Sequence, residues 1–299
     1  MKIELKVPYL NRINELIGLP VDTIIVGHET CPNHIDSVED YIKAFEKLES
    51  AGYEIKFQVP FTYQEHFSKM FNLVAELIKA KEGMNLIVND FGILYALRSN
   101  NLLDKCRIIV GSGLSYNYDL CPWFDHIAEV ENKEVNNYLR THNFNSQTNI
   151  EHMKEFGVEE IEVSIFEGLE SSFSNFKSNG FELNGVLDLA IVSTSRACHI
   201  ARLFGHQDQI GNNCKEICST PLKITTTHYW DMANSDSKLI SKELQESIPQ
   251  MHVHGNIICM HYNVDVKSTI FDYLDRVILD IRRYSLEEIK KRTIELKGA

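Results

Sequence analysis

Short apolar runs rich in β-branched residues recur along the chain, and turn-forming residues separate each run from the next. The runs lack the strict alternation of a half-exposed strand, so they predict buried strands of a parallel sheet. Seven runs are clear and an eighth is weaker. The clear runs span residues 23–26, 53–59, 85–88, 107–110, 161–165, 187–192 and 276–281, and the weaker run spans 253–260.

Segments with helical spacing lie between these runs. Two of them carry apolar residues three or four positions apart, as expected for a helix that packs on a sheet. These residues are Tyr41, Phe45 and Leu48 in the first segment and Phe67, Phe71, Val74 and Ile78 in the second. Strand and helix therefore alternate, and the chain length of 299 residues suits an α/β fold of TIM type, a closed (β/α)8 barrel. A doubly wound open sheet is the alternative.

Two long stretches interrupt this alternation, at residues 112–149 and 194–250. Each begins where a predicted strand ends, which places long loops on the carboxyl-end face of the barrel. This face carries the functional groups of such barrels. We predict a single barrel domain over residues 1–299, with a cysteine-bearing insertion at 194–250.

The charge balance narrows the classes of partner. Asp and Glu outnumber Lys and Arg by 42 to 30, a formal net charge of −12. No basic run interrupts the acidic excess, so nucleic acid is not a favoured partner. The start, MKIELKVPYLNRINEL, mixes charges into apolar positions and offers neither a signal peptide nor a membrane-spanning helix. We expect a cytoplasmic protein without a membrane span that acts on a small molecule or binds another protein.

Cysteines supply the clearest candidate chemistry. Their number, seven, is odd in a chain without a secretory signal, which favours thiols and metal ligands over a disulfide framework. Cys198, Cys214 and Cys218 fall within one predicted loop, and Cys31 follows the predicted strand 23–26. Loops at the carboxyl ends of barrel strands share one face, so four thiolates are expected to meet there.

Four thiolates suit either zinc or an iron-sulfur cluster. Structural zinc sites pair ligands two to four residues apart, and only Cys214 and Cys218 are that close. Because Cys31 is distant and follows a separate strand, the spacing favours a cluster. Ordinary buried cysteines, or zinc bound with the help of His199 or His206, are the alternatives.

The remaining candidate ligands have weaker support. Cys106 and Cys259 lie in predicted strands and are interpreted as small core residues. Cys121 lies in the first insertion without a nearby partner. His252 and His254 alternate on one side of an extended segment and can present two imidazoles to a metal, but no third ligand is close in sequence.

Catalytic candidates follow the predicted strands. Asn89 and Asp90 end the strand 85–88, where a barrel displays catalytic groups. An N-cap of the next helix is the alternative role of Asp90. His28 and Glu29 precede Cys31 and can contact a cluster sulfur or a substrate. The chain contains no His-Glu-x-x-His, no Gly-x-Ser-x-Gly and no P-loop, so neither a peptidase mechanism nor nucleotide binding has local support.

Four motifs carry a family resemblance. They are GHETC at 27–31, VNDFGILYALR at 88–98, GSGLSYN at 111–117, and SRACHIAR at 195–202, the last followed by Cys214 and Cys218. With these motifs in this order, the chain resembles the collagenase-like peptidase family, the U-class, and most closely its UbiV-type members.

The resemblance implies a function. In this family Cys31, Cys198, Cys214 and Cys218 correspond to the ligands of a 4Fe-4S cluster. The implied activity is oxygen-independent hydroxylation of a quinone precursor or of RNA bases, with prephenate as oxygen donor, rather than peptide cleavage. A heterodimer with a second family member is also implied. The acidic charge favours a small aromatic or quinone-type substrate. A non-catalytic iron-sulfur accessory subunit and a zinc-binding protein of unknown activity are the alternatives.

Overall fold

The computed structural model describes residues 1–117, 141–166, 168–195, 197–204, 218, 221–224 and 250–298. Eight parallel strands in these ranges close into a barrel. In chain order they are β1 (Lys2–Val7), β2 (Thr23–Gly27), β3 (Glu54–Val59), β4 (Met84–Val88), β5 (Cys106–Val110), β6 (Val158–Ser164), β7 (Glu182–Val186) and β12 (Arg276–Asp280). β12 pairs with β1 and completes the ring. The predicted TIM-type α/β barrel is confirmed.

Helices surround the barrel. They are α1 (Ile13–Leu16), α2 (Val38–Ser50), α3 (Gln64–Ala80), α4 (Phe91–Ser99), α5 (Gln147–Glu155), α6 (Glu170–Ser178), α7 (His199–Leu203) and α8 (Leu286–Gly298). α2 begins where Ser37 accepts a hydrogen bond from the backbone N–H of Asp40. The predicted apolar face of α2 is buried; on the corresponding face of α3, Val74 and Ile78 are buried and Phe67 and Phe71 are partly buried. Within the described ranges, no helix has the length and apolar character needed to cross a membrane.

Two barrel strands, β1 and β7, were not predicted from the sequence, because the part of the barrel lumen that they face is polar. In β1, apolar residues alternate with Glu4 and Lys6, both of which are buried. Inside the barrel Glu4 pairs with Lys56 of β3, and Lys6 pairs with Glu162 of β6. Asn184 of β7 is buried in the same way. Charged residues that face the lumen give a buried strand the alternation of a surface strand.

A second, antiparallel sheet accounts for two wrong strand predictions. We call it the lid sheet; it comprises β8 (Leu189–Thr194), β9 (Leu222–Ile224), β10 (Met251–His254) and β11 (Ile257–His261), in the order β8-β11-β10-β9. The run 187–192 is not a barrel strand, because the chain turns at Asp188, which has a left-handed φ of 57°. The run 253–260 is the hairpin of β10 and β11, interrupted at Gly255 with a φ of 64°.

The lid sheet packs on the apolar part of the barrel lumen. Ile257 and Cys259 of β11 share one cluster with side chains from five barrel strands. Those side chains are Ile25, Ile87, Ile109, Val186 and Ile278. Cys259 is therefore a core residue, as predicted, and burial raises the pKa of its thiol to about 12. The contact fixes the hairpin over the carboxyl ends of the barrel strands.

Candidate metal centre and adjoining pocket

Cys31 lies in the loop after β2, the second barrel strand rather than the first, and its side chain is buried. His28 shapes this loop. Its Nδ1 accepts hydrogen bonds from the backbone N–H groups of Thr30 and Cys31, at 3.2 and 3.1 Å. Burial, followed by the charge of Arg282, holds the pKa of His28 well below its usual range. His28 is therefore a neutral imidazole that carries its proton on Nε2 and orders the thiol-bearing loop.

Cys198 and Cys218 lie against the lid sheet. Cys218 is buried in a small apolar cluster with Ile200 of α7, and Cys198 packs against the same cluster. Cys198 caps α7, because its Sγ accepts a backbone N–H of the first turn at 3.4 Å. His34 links Cys218 to the loop of Cys31: its Nε2 lies 3.1 Å from Cys218 Sγ.

The cysteines fit a metal in two respects, the chemistry of their donor atoms and their location in the fold. Three of the four predicted ligands, Cys31, Cys198 and Cys218, lie at the carboxyl-end face of the barrel and its lid. Within the described ranges, no group of three or more His, Cys, Asp or Glu side chains is arranged to hold a metal ion. Cys214, the fourth predicted ligand, lies outside the described residues, as does Cys121. The cluster therefore stays a prediction.

Four rings form a cluster beside Cys218. His28 stacks with His34 and with His254, with ring centroids 5.3 and 5.9 Å apart. The hydroxyl of Tyr9 lies 2.7 Å from His254 Nε2. Burial lowers the pKa of His254 to about 3, so this ring is also neutral. Two buried nitrogens, His28 Nε2 and His254 Nδ1, have no hydrogen-bond partner among the described residues, a costly state in a site without a ligand.

A buried charge network adjoins the ring cluster. Arg282 pairs through Nη2 with Glu29 and with Asp280, both at 2.5 Å, and Lys6 pairs with Glu162 at 3.1 Å. Burial by itself lowers the pKa of Arg282, but Asp280 and Glu29 outweigh it, so this pKa is raised. Burial favours a higher pKa for Glu29, but Arg282 and Lys6 outweigh it and lower the pKa. Arg282 and Glu29 therefore stabilise each other's charged form.

The predicted catalytic candidates Asn89 and Asp90 hold loops together. Asn89 donates from Nδ2 to a carbonyl of β3 at 2.9 Å and accepts the backbone N–H of Gly113 at 2.8 Å. Asp90 caps α4 by accepting the N–H of Ile93 at 3.2 Å, the alternative that the sequence left open. Its other oxygen accepts the N–H of Thr62, also at 3.2 Å. Among the described residues, the side-chain hydrogen bonds of Asn89 and Asp90 therefore all go to backbone groups.

A cavity of about 500 Å³ opens at the carboxyl ends of β3 and β4. It is lined by Phe61, Thr62, Tyr63, Gln64, Glu65, Phe67, Asp90 and Gly92. The rings of Phe61 and Tyr63 meet edge to face, with centroids 5.5 Å apart. A Cβ on Gly92 would lie 3.1 Å from the ring of Phe67, so glycine keeps this wall open. Aromatic walls with a few polar groups suit a flat ring.

Histidines show where sequence reasoning succeeded and failed. The predicted pair does not share one site: His254 joins the ring cluster, whereas His252 stacks on His261 with centroids 3.7 Å apart. His34 was missed, although it follows Cys31 with the Cys-x-x-His spacing common among metal ligands. The contact between His34 and Cys218, which is distant in sequence, can be seen only in the structure.

Fold and site together define a TIM-type barrel with an added lid sheet, whose carboxyl-end face carries cysteines, a cluster of imidazole rings and an aromatic cavity. Comparison with known proteins adds no family to this description. No family model matches the chain, and no curated protein matches it at a significant level. The resemblance to the U-class collagenase-like peptidases therefore stays a prediction.

Proposed function

We propose that this chain is an iron-sulfur protein that takes part in oxygen-independent, prephenate-linked hydroxylation of a small aromatic or quinone-type substrate. The observation that carries the proposal is that three thiols, those of Cys31, Cys198 and Cys218, and an aromatic cavity all lie on the carboxyl-end face of a TIM-type barrel. The four motifs resemble a family that combines a 4Fe-4S cluster with this chemistry.

The ligands in this proposal are Cys31, Cys198, Cys214 and Cys218. Thiolate is the soft donor that iron-sulfur clusters require, and a bound cluster supplies one-electron transfer. The protein's own contribution begins with His28, whose Nδ1 holds two backbone N–H groups of the Cys31 loop. Because His28 is neutral and buried, it orders that loop without adding a charge beside the thiolates.

The cavity supports an aromatic substrate. Rings of Phe61, Tyr63 and Phe67 form its walls, and such walls favour a flat ring by stacking and edge contacts. Glu65 and Asp90 make the rim acidic, so a neutral phenol or quinone fits this cavity better than an anion. We therefore place the ring to be hydroxylated, rather than the anionic donor, in this cavity.

A second candidate function is a non-catalytic iron-sulfur accessory subunit of a related catalytic barrel. The observation that favours it concerns Asn89 and Asp90, whose side-chain hydrogen bonds among the described residues go to backbone groups. An accessory subunit needs its cysteines but no acid or base. Either role accommodates a heterodimer with a second family member.

Anaerobic turnover separates the two functions. The isolated chain would be offered prephenate, dithionite as reductant and phenol as the neutral ring, with and without any family member that co-purifies with it. Turnover by the isolated chain excludes the purely accessory role. Turnover that requires the relative and continues when Tyr63 and Phe61 are both replaced by alanine excludes the catalytic role, because the cavity is then dispensable.

Cysteine variants test the ligand set. Replacing Cys218 by serine should abolish the visible absorption and the bound iron, because a hydroxyl is a poor substitute for thiolate at iron. Cys106→Ser is the matched control. Cys106 lies at the start of β5, and its Sγ contacts the carbonyl of Leu102 at 3.4 Å. Full iron content in Cys218→Ser, or equal loss in both variants, contradicts the assignment.

A further inference from the structure

Asn256, at the turn between β10 and β11, is fully buried. Both polar atoms of its side chain and its backbone carbonyl form hydrogen bonds. Its Nδ2 lies 2.9 Å from the Thr30 carbonyl, 3.1 Å from the Ser195 carbonyl and 3.0 Å from the Tyr63 hydroxyl. Its Oδ1 accepts a hydrogen bond from Thr30 Oγ1 at 2.9 Å. Its backbone carbonyl accepts the N–H of Ser195, also at 2.9 Å. One amide side chain thus joins three separate segments of the chain.

Two of these segments carry the predicted metal ligands. Thr30 directly precedes Cys31, and Ser195 directly follows β8, three residues before Cys198. The turn itself also reaches the third thiol, because a Cβ placed on the neighbouring Gly255 would lie 3.9 Å from the Sγ of Cys218. A displacement of the Asn256 amide is therefore expected to move Thr30 and Ser195, and with them the loops of Cys31 and Cys198.

The third segment carries the cavity wall. The ring of Tyr63 lines the cavity, while its hydroxyl donates to the Ser195 carbonyl at 2.6 Å and accepts from Asn256. A ligand ring that packs on Tyr63 fixes the orientation of that ring and hence the position of its hydroxyl. A hydroxyl moved away would leave buried polar groups unsatisfied, so the contacting loops are constrained to follow it.

We propose that Tyr63 and Asn256 couple occupancy of the cavity to the geometry of the cysteine-bearing loops. They are positioning residues, since they act through the loops of Cys31 and Cys198. The inference rests on the proposed function in one respect, that the cavity binds an aromatic ring. Coupling of two sites is reciprocal, so ordering of the cysteine loops also strengthens binding in the cavity by the same factor.

Backbone hydrogen exchange of the full-length chain tests the coupling, with phenol as the ring probe and Tyr63→Phe as the variant. In the wild type, saturating phenol should slow exchange around residues 61–67, and should slow it about fivefold or more in residues 28–34 and 197–204. Tyr63→Phe keeps the ring but loses the hydroxyl. The variant should keep the slowing at 61–67 and lose it in the two cysteine loops.

Tyr95→Phe is the control, because it removes a tyrosine hydroxyl from the exposed face of α4. It should reproduce the wild-type response. Equal slowing of the cysteine loops in the wild type and in Tyr63→Phe overturns the coupling, as does slowing confined to 61–67 in the wild type. Absence of any slowing at 61–67 overturns the aromatic cavity and the coupling together. Zinc in place of iron overturns the proposed cluster and leaves the coupling standing.

Discussion

Toward the amino ends of the strands, the barrel lumen holds Glu4, Lys56, Glu160 and Arg276 in one network of ion pairs. Lys56 Nζ lies 2.8 Å from Glu4 and 2.6 Å from Glu160, and Arg276 lies 3.2 Å from Glu4. Beside the lid, the imidazoles of His28 and His254 are neutral, and one buried nitrogen of each ring lacks a partner among the described residues. The first region pairs its carboxylates with buried cations, whereas the second presents uncharged rings.

This difference separates stability from function. Buried ions are tolerated only as complete sets, because removal of one partner leaves an uncompensated charge in a medium of low polarity. A neutral imidazole with an unsatisfied nitrogen costs less to keep and can contact a ligand. We expect any single substitution in the amino-end network to destabilise the fold. Substitution of the carboxyl-end imidazoles should affect ligand binding more than folding.

The largest effect is expected from Lys56→Met, which breaks the amino-end network. Glu4 and Glu160 lose their shared cation, and the free energy of unfolding should fall by about 3–5 kcal/mol. Lys81→Met is the control, because Lys81 pairs with Glu49 on the surface and should contribute less than about 1 kcal/mol. Urea unfolding measures both. A similar small loss in the two variants would show that the lumen network is dispensable.

An intermediate effect is expected at Asp188, the turn that connects barrel and lid. Its carboxylate accepts the N–H of Val264 at 2.9 Å, the hydroxyl of Tyr284, and Arg292 at 3.4 Å. Asp188→Asn keeps the left-handed backbone but loses the charge, so the free energy of unfolding should fall by about 2–3 kcal/mol. Asp265→Asn, at an exposed site, should change stability by less than about 0.5 kcal/mol. Equal values for the two variants would remove Asp188 as the anchor of the lid.

The smallest effect is a pH dependence of stability caused by His142. This residue lies in the connection between β5 and α5. Its Nδ1 accepts the N–H of Phe144, its Nε2 contacts Ser115 Oγ at 2.8 Å, and burial lowers its pKa to about 3. The unfolded chain binds this proton near pH 6.5, so stability is full above that pH and falls below it. At pH 5 the loss is about 2 kcal/mol.

His142→Gln removes this proton uptake from the unfolded state. The difference in unfolding free energy between pH 7 and pH 5 should therefore shrink by about 2 kcal/mol in the variant. Guanidinium titrations at the two pH values measure it. An unchanged difference would mean that His142 is already protonated in the folded protein at pH 5.

Most of the barrel was predictable because its apolar strands leave a local signal. Runs 23–26, 53–59, 85–88 and 107–110 correspond to β2 to β5. The failures have one physical origin, which is that tertiary context decides what a strand faces. β1 was missed because Glu4 and Lys6 face a polar lumen, and the run 253–260 was assigned to the barrel because an apolar hairpin packed over that lumen resembles a buried strand.

The site was predictable only as far as residue type allows. Cysteines in loops after strands point to one face of a barrel, and Cys31, Cys198 and Cys218 lie on that side of the molecule. The contact of His34 with Cys218, and the bonds of Asn256 to Thr30 and Tyr63, join residues more than 180 positions apart. Such contacts depend on how the lid sheet packs against the loops after β2 and β3. No local sequence pattern predicts that packing.

Metal analysis of the full-length chain, purified without oxygen, tests the central claim most directly. Iron, acid-labile sulfide and zinc would be quantified per chain together with the visible spectrum. We predict about four iron and about four sulfide per chain, with broad visible absorption that reduction bleaches. Stoichiometric zinc without iron, or a colourless protein without metal, would contradict an iron-sulfur cluster at this end of the barrel.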